Sequence, residues 1–319
     1  MVPNEPKLSI VIPVLGTVDD LERSLISVLE CRDELTEVLL VFNRPYDDPY
    51  ALEDEVRFVH APPKSGWADC VNLAVAECRA PVIHLLACGT IVEAGWADAA
   101  LAHFNDPQVG SVTPLVVEAD DTNIIRAVGV AYDAGGRRRV LARGEPVSDL
   151  DISSVQTVGP TFVAGFYRHD LFVDGQGFSP RVGDLLADVD FGLRLQRAGY
   201  KSVFEPEAWV MCEGNASPVV GSWSSGRHAE RLFRRHAVQN GWLRSLTRHV
   251  LVVGAELWPR LALATSVARL LGRASTWVSV EPAVVELHGP ETCEGPATLR
   301  FERDEEDSVD GHMPHRRSA

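Results

Sequence analysis

Short apolar, β-branched segments separated by helical patterns constrain this chain more than any other feature. Residues 8–15 (LSIVIPVL) and 37–42 (EVLLVF) are almost wholly apolar and do not alternate. A strand with one wet face alternates, whereas a strand covered on both faces does not. Residues 56–60, 81–86 and 109–113 give a weaker third, a fourth and a fifth strand. Between them, Asp19 and Asp20 open an amphipathic stretch with Leu21, Leu25, Val28 and Leu29 on one face, and residues 67–78 and 95–104 also read as helices. Strands alternating with helices predict an α/β fold with a mainly parallel sheet covered on both sides.

The rhythm changes after Thr113. Residues 120–144 are turn-rich, with Asp133 to Gly136 as a hairpin or loop signal. A strand is predicted within 158–167, a helix over 188–198 stopped by Gly199, and a short strand over 202–204 closed by Pro206. Two or three helices follow between His228 and Leu271, and Gly, Pro and acidic residues dominate from Gly289 onward. Three parts are expected: an α/β domain over 1–225, a basic helical extension over 226–285 and a disordered acidic tail over 286–319.

Charge separates these parts. The chain carries a net −15, but residues 1–225 hold −16 and residues 226–273 hold +7. An acidic body argues against nucleic-acid binding. The six cysteines form no C-x-x-C pair, so neither a zinc site nor a secreted disulfide frame is expected. No signal-like start or spanning segment is read, and a cytoplasmic location is the expectation. The dinucleotide G-x-G-x-x-G, the G-x-x-x-x-G-K-[ST] phosphate loop, H-E-x-x-H and G-x-S-x-G are all absent.

Four segments, in order along the chain, form a recognisable set. They are residues 8–14 (LSIVIPV), 37–43 (EVLLVFN), and 66–72 (GWADCVN) followed by 81–91 (PVIHLLACGTI). The fourth runs from Gly177 and Phe178 through 187–191 (ADVDF), Arg194 and 197–200 (RAGY) to 206–208 (PEA). Together they resemble the family-2 glycosyltransferases, which have the GT-A fold, and the resemblance spans residues 8–212. It implies a GT-A fold and inverting transfer of a sugar from a nucleotide-diphosphate donor to a glycan, lipid-linked or envelope-precursor acceptor in polysaccharide biosynthesis. The alternative is a catalytically inactive relative that binds a nucleotide, a glycan or a protein partner.

The resemblance places Asp188 where the family has its catalytic base; a helix cap is the other reading of that residue. Ala187 stands where the family has a Glu, and Asp190 reads as a structural helix residue. The loop at Pro13 and Val14 faces the donor or is a plain turn. Asn43 offers an amide to a nucleotide base, and Asn72 matches a family Asn on the donor side or is a surface residue. Ala87, Cys88 and Gly89 occupy the family's metal-binding D-x-D, and Cys212 occupies a family His. None of the four brings an oxygen-bearing side chain, which hard divalent cations require. No cofactor is therefore expected, and the Mg²⁺ or Mn²⁺ site reads as lost. Arg227, Arg231, Arg234 and Arg235 share one helix face, where Arg231 and Arg235 could take over the diphosphate charge. A solvated or acid-paired face is the other reading, and peripheral contact with the inner face of a membrane is a third.

Overall fold

The computed structural model describes residues 5–213, 221–236, 242–256, 263–278 and 287–290. The strands are β1 (Leu8–Pro13), β2 (Thr36–Phe42), β3 (Arg57–His60), β4 (Val82–Leu86), β5 (Thr90–Val92), β6 (Val109–Glu118), β7 (Ile125–Ala127), β8 (Val130–Tyr132), β9 (Arg138–Val140), β10 (Ala164–Arg168) and β11 (Lys201–Cys212). The helices are α1 (Val18–Cys31), α2 (Trp67–Val75), α3 (Asp98–Ala102), α4 (His169–Asp174), α5 (Asp184–Arg197), α6 (Ser222–His236), α7 (Trp242–Glu256) and α8 (Leu263–Ser275).

One sheet runs in the order β3-β2-β1-β4-β10-β6-β11-β5, with β7 paired to β6. β1 pairs in parallel with β2 and β4, as expected from their doubly buried composition. Every residue of β1 and β4 is buried. α1 starts where Thr17 and Asp20 form a reciprocal capping box, each side chain accepting from the other's backbone N–H.

Three expectations change. β10 lies antiparallel between β4 and β6, which breaks the parallel run. The predicted short strand at 202–204 continues as β11 to Cys212, straight through Pro206. A register shift between Glu205 and Trp209 absorbs the proline, which has no N–H for the ladder. α5 begins at Asp184 rather than Asp188, so Asp188 lies one turn inside the helix.

An aromatic cluster joins β10 to the helices beneath it. Phe172 packs on Phe178 and Phe191 at centroid distances of 4.8 and 4.5 Å, and Tyr167 meets Phe191 at 5.7 Å. Each such ring contributes roughly 1.5–3 kcal/mol by burial. On β4, His84 is wholly buried and stacks on Phe166 of β10 at 3.7 Å. Its Nδ1 lies 3.2 Å from the Gly165 carbonyl, an acceptor, so Nδ1 carries the hydrogen. Nε2 is buried without a partner. Protonating it would bury an unpaired cation, and desolvation accordingly lowers the His84 pKa from 6.5 to about 3. The folded state then binds fewer protons than the unfolded state below pH 6.5. Stability present above that value should be lost progressively as pH falls toward 3. Urea midpoints of wild type and His84→Phe measured from pH 7 to pH 4 check this. The wild-type curve should fall more steeply, and parallel curves would refute the assignment.

α6 runs across the expected 225/226 division and packs against both α5 and α8. Backbone contact with α8 is close. A Cβ built on Gly226 would sit 1.9 Å from the Arg269 carbonyl oxygen, and one on Gly272 would sit 2.1 Å from that of Trp223. No helix among the described residues is long and apolar enough to cross a membrane. The tail expected over 286–319 falls outside the described residues except for 287–290.

Candidate functional site

β1 is flanked by β2, leading outward to β3, on one side and by β4 on the other. The direction of the chain order reverses between β1 and β4, and open α/β sheets hold ligands beyond the carboxyl ends of strands at such a point. The loops that leave β1 and β4 meet there. The Cys88 thiol donates to the Pro13 carbonyl at 3.4 Å, and Val14 N donates to Val41 O at 2.8 Å. Gly89 adopts a positive φ of 84°, and its N–H donates to Ser24 Oγ at 2.9 Å. Pro13, Val14, Cys88 and Gly89 thus lie together where these two loops meet.

Sequence reasoning missed several groups at this junction. Asp20 accepts from the Thr17 N–H and hydroxyl and from Arg23 at 2.7 Å. The Thr17 hydrogen bonds, aided by Arg23, hold its carboxyl below the usual range against a smaller opposing effect of burial. Arg23 also meets Glu213 at 3.1 Å. Arg44 Nη2 donates to the Gly16 carbonyl at 2.6 Å. The capping signature at Thr17 and Asp20 was legible. The link from Arg23 to Glu213 was not, because it joins opposite ends of the sheet sequence.

Asn43 and Asn72 have other duties. Asn43 Nδ2 donates to the Ser65 carbonyl at 2.8 Å. Asn72 clamps the backbone of Phe178, donating to its carbonyl at 2.7 Å and accepting from its N–H at 2.8 Å. That clamp spends both ends of the Asn72 amide on holding α2 against the Gly177–Phe178 turn. Asp184, at the start of α5, caps α2 in turn by accepting from the N–H groups of Trp67 and Ala68, each at 3.0 Å.

Asp188 is fully buried. Its two carboxylate oxygens accept from Arg138 Nε at 3.1 Å and Nη2 at 2.5 Å, and Oδ1 also accepts from the Val189 N–H. Arg138 comes from β9, half of the β8–β9 hairpin, and lies over the Phe162 ring at 5.4 Å. Arg138 also lines a cavity of about 140 Å³, together with Arg126, Arg143, Thr161 and Phe162. Val163, another wall residue, accepts from the Ala87 N–H at 2.8 Å, which sets the cavity beside the end of β4. A larger, open depression of about 530 Å³ lies at the amino ends of β2 and β3. Two of its three arginines are paired, Arg57 with Glu37 and Arg32 with Glu55, and it lies at the amino ends of the strands, away from where open α/β sheets hold ligands.

Arg231 and Arg235 face α5 and the turn before it. Arg231 Nη1 donates to the Arg181 carbonyl at 3.2 Å, and Arg235 Nη1 meets both oxygens of Asp190 at 2.9 and 3.0 Å. Arg234 donates to the Thr276 carbonyl and lies over Trp277. In this arrangement the shared arginine face fastens α6 to its neighbours.

Ala87, Cys88, Gly89 and Cys212 carry no side-chain oxygen, the ligand atom that hard divalent cations favour. Burial pushes the thiols of Cys88 and Cys212 up to about 11, so each stays protonated near neutral pH. Among the described residues no group of three His, Cys, Asp or Glu side chains is placed to hold a metal.

No family model matches the chain. It is 25% identical over 214 residues to the pre-mycofactocin glycosyltransferases of Mycobacterium tuberculosis strains CDC 1551 / Oshkosh and ATCC 25618 / H37Rv. The match covers 65% of this chain and 43% of those proteins, so the chain matches less than half the length of these curated relatives. Among solved structures it is similar to GalNAc-T7 with UDP, GalNAc and Mn2+, with a TM-score of 0.60 and 14% identity over 85% of this chain and 55% of that one. It is also similar to the mannosyltransferase PcManGT from Pyrobaculum calidifontis in complex with GDP-Man and Mn2+, with a TM-score of 0.51 and 18% identity over 87% and 77% of the two chains. The chain therefore has the GT-A glycosyltransferase fold, and its curated relatives are glycosyltransferases.

Proposed function

We propose that this chain binds a nucleotide-diphosphate sugar at the carboxyl ends of β1, β2 and β4 and transfers the sugar, with inversion, to a glycan or envelope-precursor acceptor. The observation that carries this reading is the contact of Cys88 with Pro13 across the β1–β4 reversal, the kind of point at which open α/β sheets hold ligands. The proposed transfer proceeds without the D-x-D metal, because Ala87, Cys88 and Gly89 supply no side-chain oxygen ligand. Diphosphate charge is offset by basic side chains instead: Arg44 at the β1 loop, or Arg231 and Arg235 if α6 shifts. Asp188 serves as base once Arg138 releases it. Peripheral membrane contact is proposed for α7, which exposes Leu243, Val250 and Leu251 beside Arg244 and Arg248.

The second reading, a catalytically inactive binder, is favoured by one observation. Arg138 takes both oxygens of the would-be base. Calorimetric titration with UDP and GDP, with and without Mn²⁺, tests the first reading. Binding should be detectable and independent of Mn²⁺, and no binding of either nucleotide would overturn it. Sugar release or transfer from UDP- and GDP-sugars then separates the two readings. Asp188→Asn should keep nucleotide affinity and abolish transfer. Bound nucleotide with no turnover in wild type would favour the inactive binder.

A further inference from the structure

The cavity beside β4 has a wall chemistry that the transfer reaction itself does not require. Arg126, Arg138 and Arg143 come from three separate places, β7, β9 and the turn after β9, and converge on it. The Arg126 and Arg138 side chains are only 8% and 11% exposed. Arg126 meets Glu118 at 2.6 Å, and Arg138 meets Asp188 through Nε and Nη2. Arg138 Nη1 is not committed by that bond. Arg143 is exposed and makes no ion pair among the described residues. Three guanidinium groups therefore line the cavity, two of them paired with carboxylates that are not among its wall residues. The hydroxyl of Thr161 and the apolar face of Phe162 complete the wall.

The exposed Arg143, set beside two largely buried and paired guanidinium groups, leaves this wall with one cation that an anion can offset. Arg offers planar, paired donors that fit a carboxylate or a phosphate. A hydroxyl beside them adds a neutral donor. We infer that this cavity binds the anionic group, a carboxylate or a phosphate, of an acidic sugar acceptor. The inference rests on the transferase reading for the word acceptor, but the anion site can be tested without turnover. Its position fits the role: the cavity adjoins Ala87 at the end of β4 and carries Arg138, which holds Asp188. An anion that engages Arg138 competes with Asp188 for that guanidinium, so acceptor binding and release of the base become linked.

Titration calorimetry of the full chain with glucuronate, inorganic phosphate, glucose and UDP provides the test. Glucuronate or phosphate should bind, and glucose should bind at least about ten-fold more weakly, the value of one charge-assisted contact. Arg143→Ala removes an exposed side chain without an ion pair, so it should fold normally and lose about ten-fold in glucuronate affinity. UDP affinity should be unchanged in that variant. Equal loss of UDP and glucuronate affinity would overturn the inference, making the cavity a diphosphate site. Equal affinity for glucuronate and glucose in wild type would also overturn it. Absence of UDP binding alongside Arg143-dependent glucuronate binding would sink the transferase reading while leaving the anion site standing.

Discussion

Asp190→Ala is expected to destabilise the protein by about 3–5 kcal/mol, the usual cost of removing one side of a buried ion pair. The Asp190 side chain is fully buried on α5. It receives Arg235 Nη1 at 2.9 Å, His236 Nε2 at 3.0 Å and Arg194 Nε at 3.3 Å. Arg197 Nη2 donates to His236 Nδ1, so the neutral ring accepts on one nitrogen and donates to Asp190 with the other. Burial alone would raise the Asp190 pKa, but the His236 hydrogen bond and the charges of Arg194 and Arg235 outweigh it and hold the carboxyl below its ordinary value. Removing the carboxylate would strand two guanidinium groups and an imidazole that are each largely buried. Urea unfolding should show a lower midpoint, with Asp190→Asn between the two. A midpoint equal to wild type would show that this cluster does not anchor α6 to α5.

Gly226→Ala should also destabilise, by roughly 1–3 kcal/mol, even though alanine favours helix by about 1 kcal/mol over glycine. The new methyl group would need the space of the Arg269 carbonyl, 1.9 Å away, and backbone cannot yield as a side-chain tip can. α6 and α8 must then separate. Gly272→Ala should act alike through Trp223, and the double variant should lose less than the sum, since both force apart the same crossing. Thermal unfolding followed by circular dichroism reads this. Stabilisation by either alanine would mean that helix propensity outweighs the close approach.

Elements whose physics is local were legible. β1, β2 and β4 announced themselves by apolar runs with no alternation, and all three pair in parallel as neighbours. The Asp133 to Gly136 turn signal became the β8–β9 hairpin. What escaped were the long-range events. Nothing within Ala164–Arg168 says that the strand enters antiparallel, because direction is set by its neighbours β4 and β6. Pro206 read as a stop because the register shift that accommodates it is a property of the pair with β6. At the β1–β4 junction, Pro13, Cys88 and Gly89 lie close together. The partners of Asn72, Asp188 and Arg235 lie far off in sequence, at Phe178, Arg138 and Asp190, and residue type alone cannot reveal them.

The placement of β10 also sets an order of events during synthesis. His84 on β4 waits for Gly165 and Phe166 on β10, and His84 and Gly165 are 81 residues apart. At roughly 5–20 residues per second, a ribosome takes on the order of 4–16 s to deliver that strand. Through that interval the β3-β2-β1-β4 half can assemble, yet the far side of β4 stays an open edge of apolar residues. Unpaired edges of this kind recruit other chains. The nascent N-terminal half therefore passes through a window in which its most buried strand is its most adhesive surface, and the window closes when Ala164–Arg168 docks.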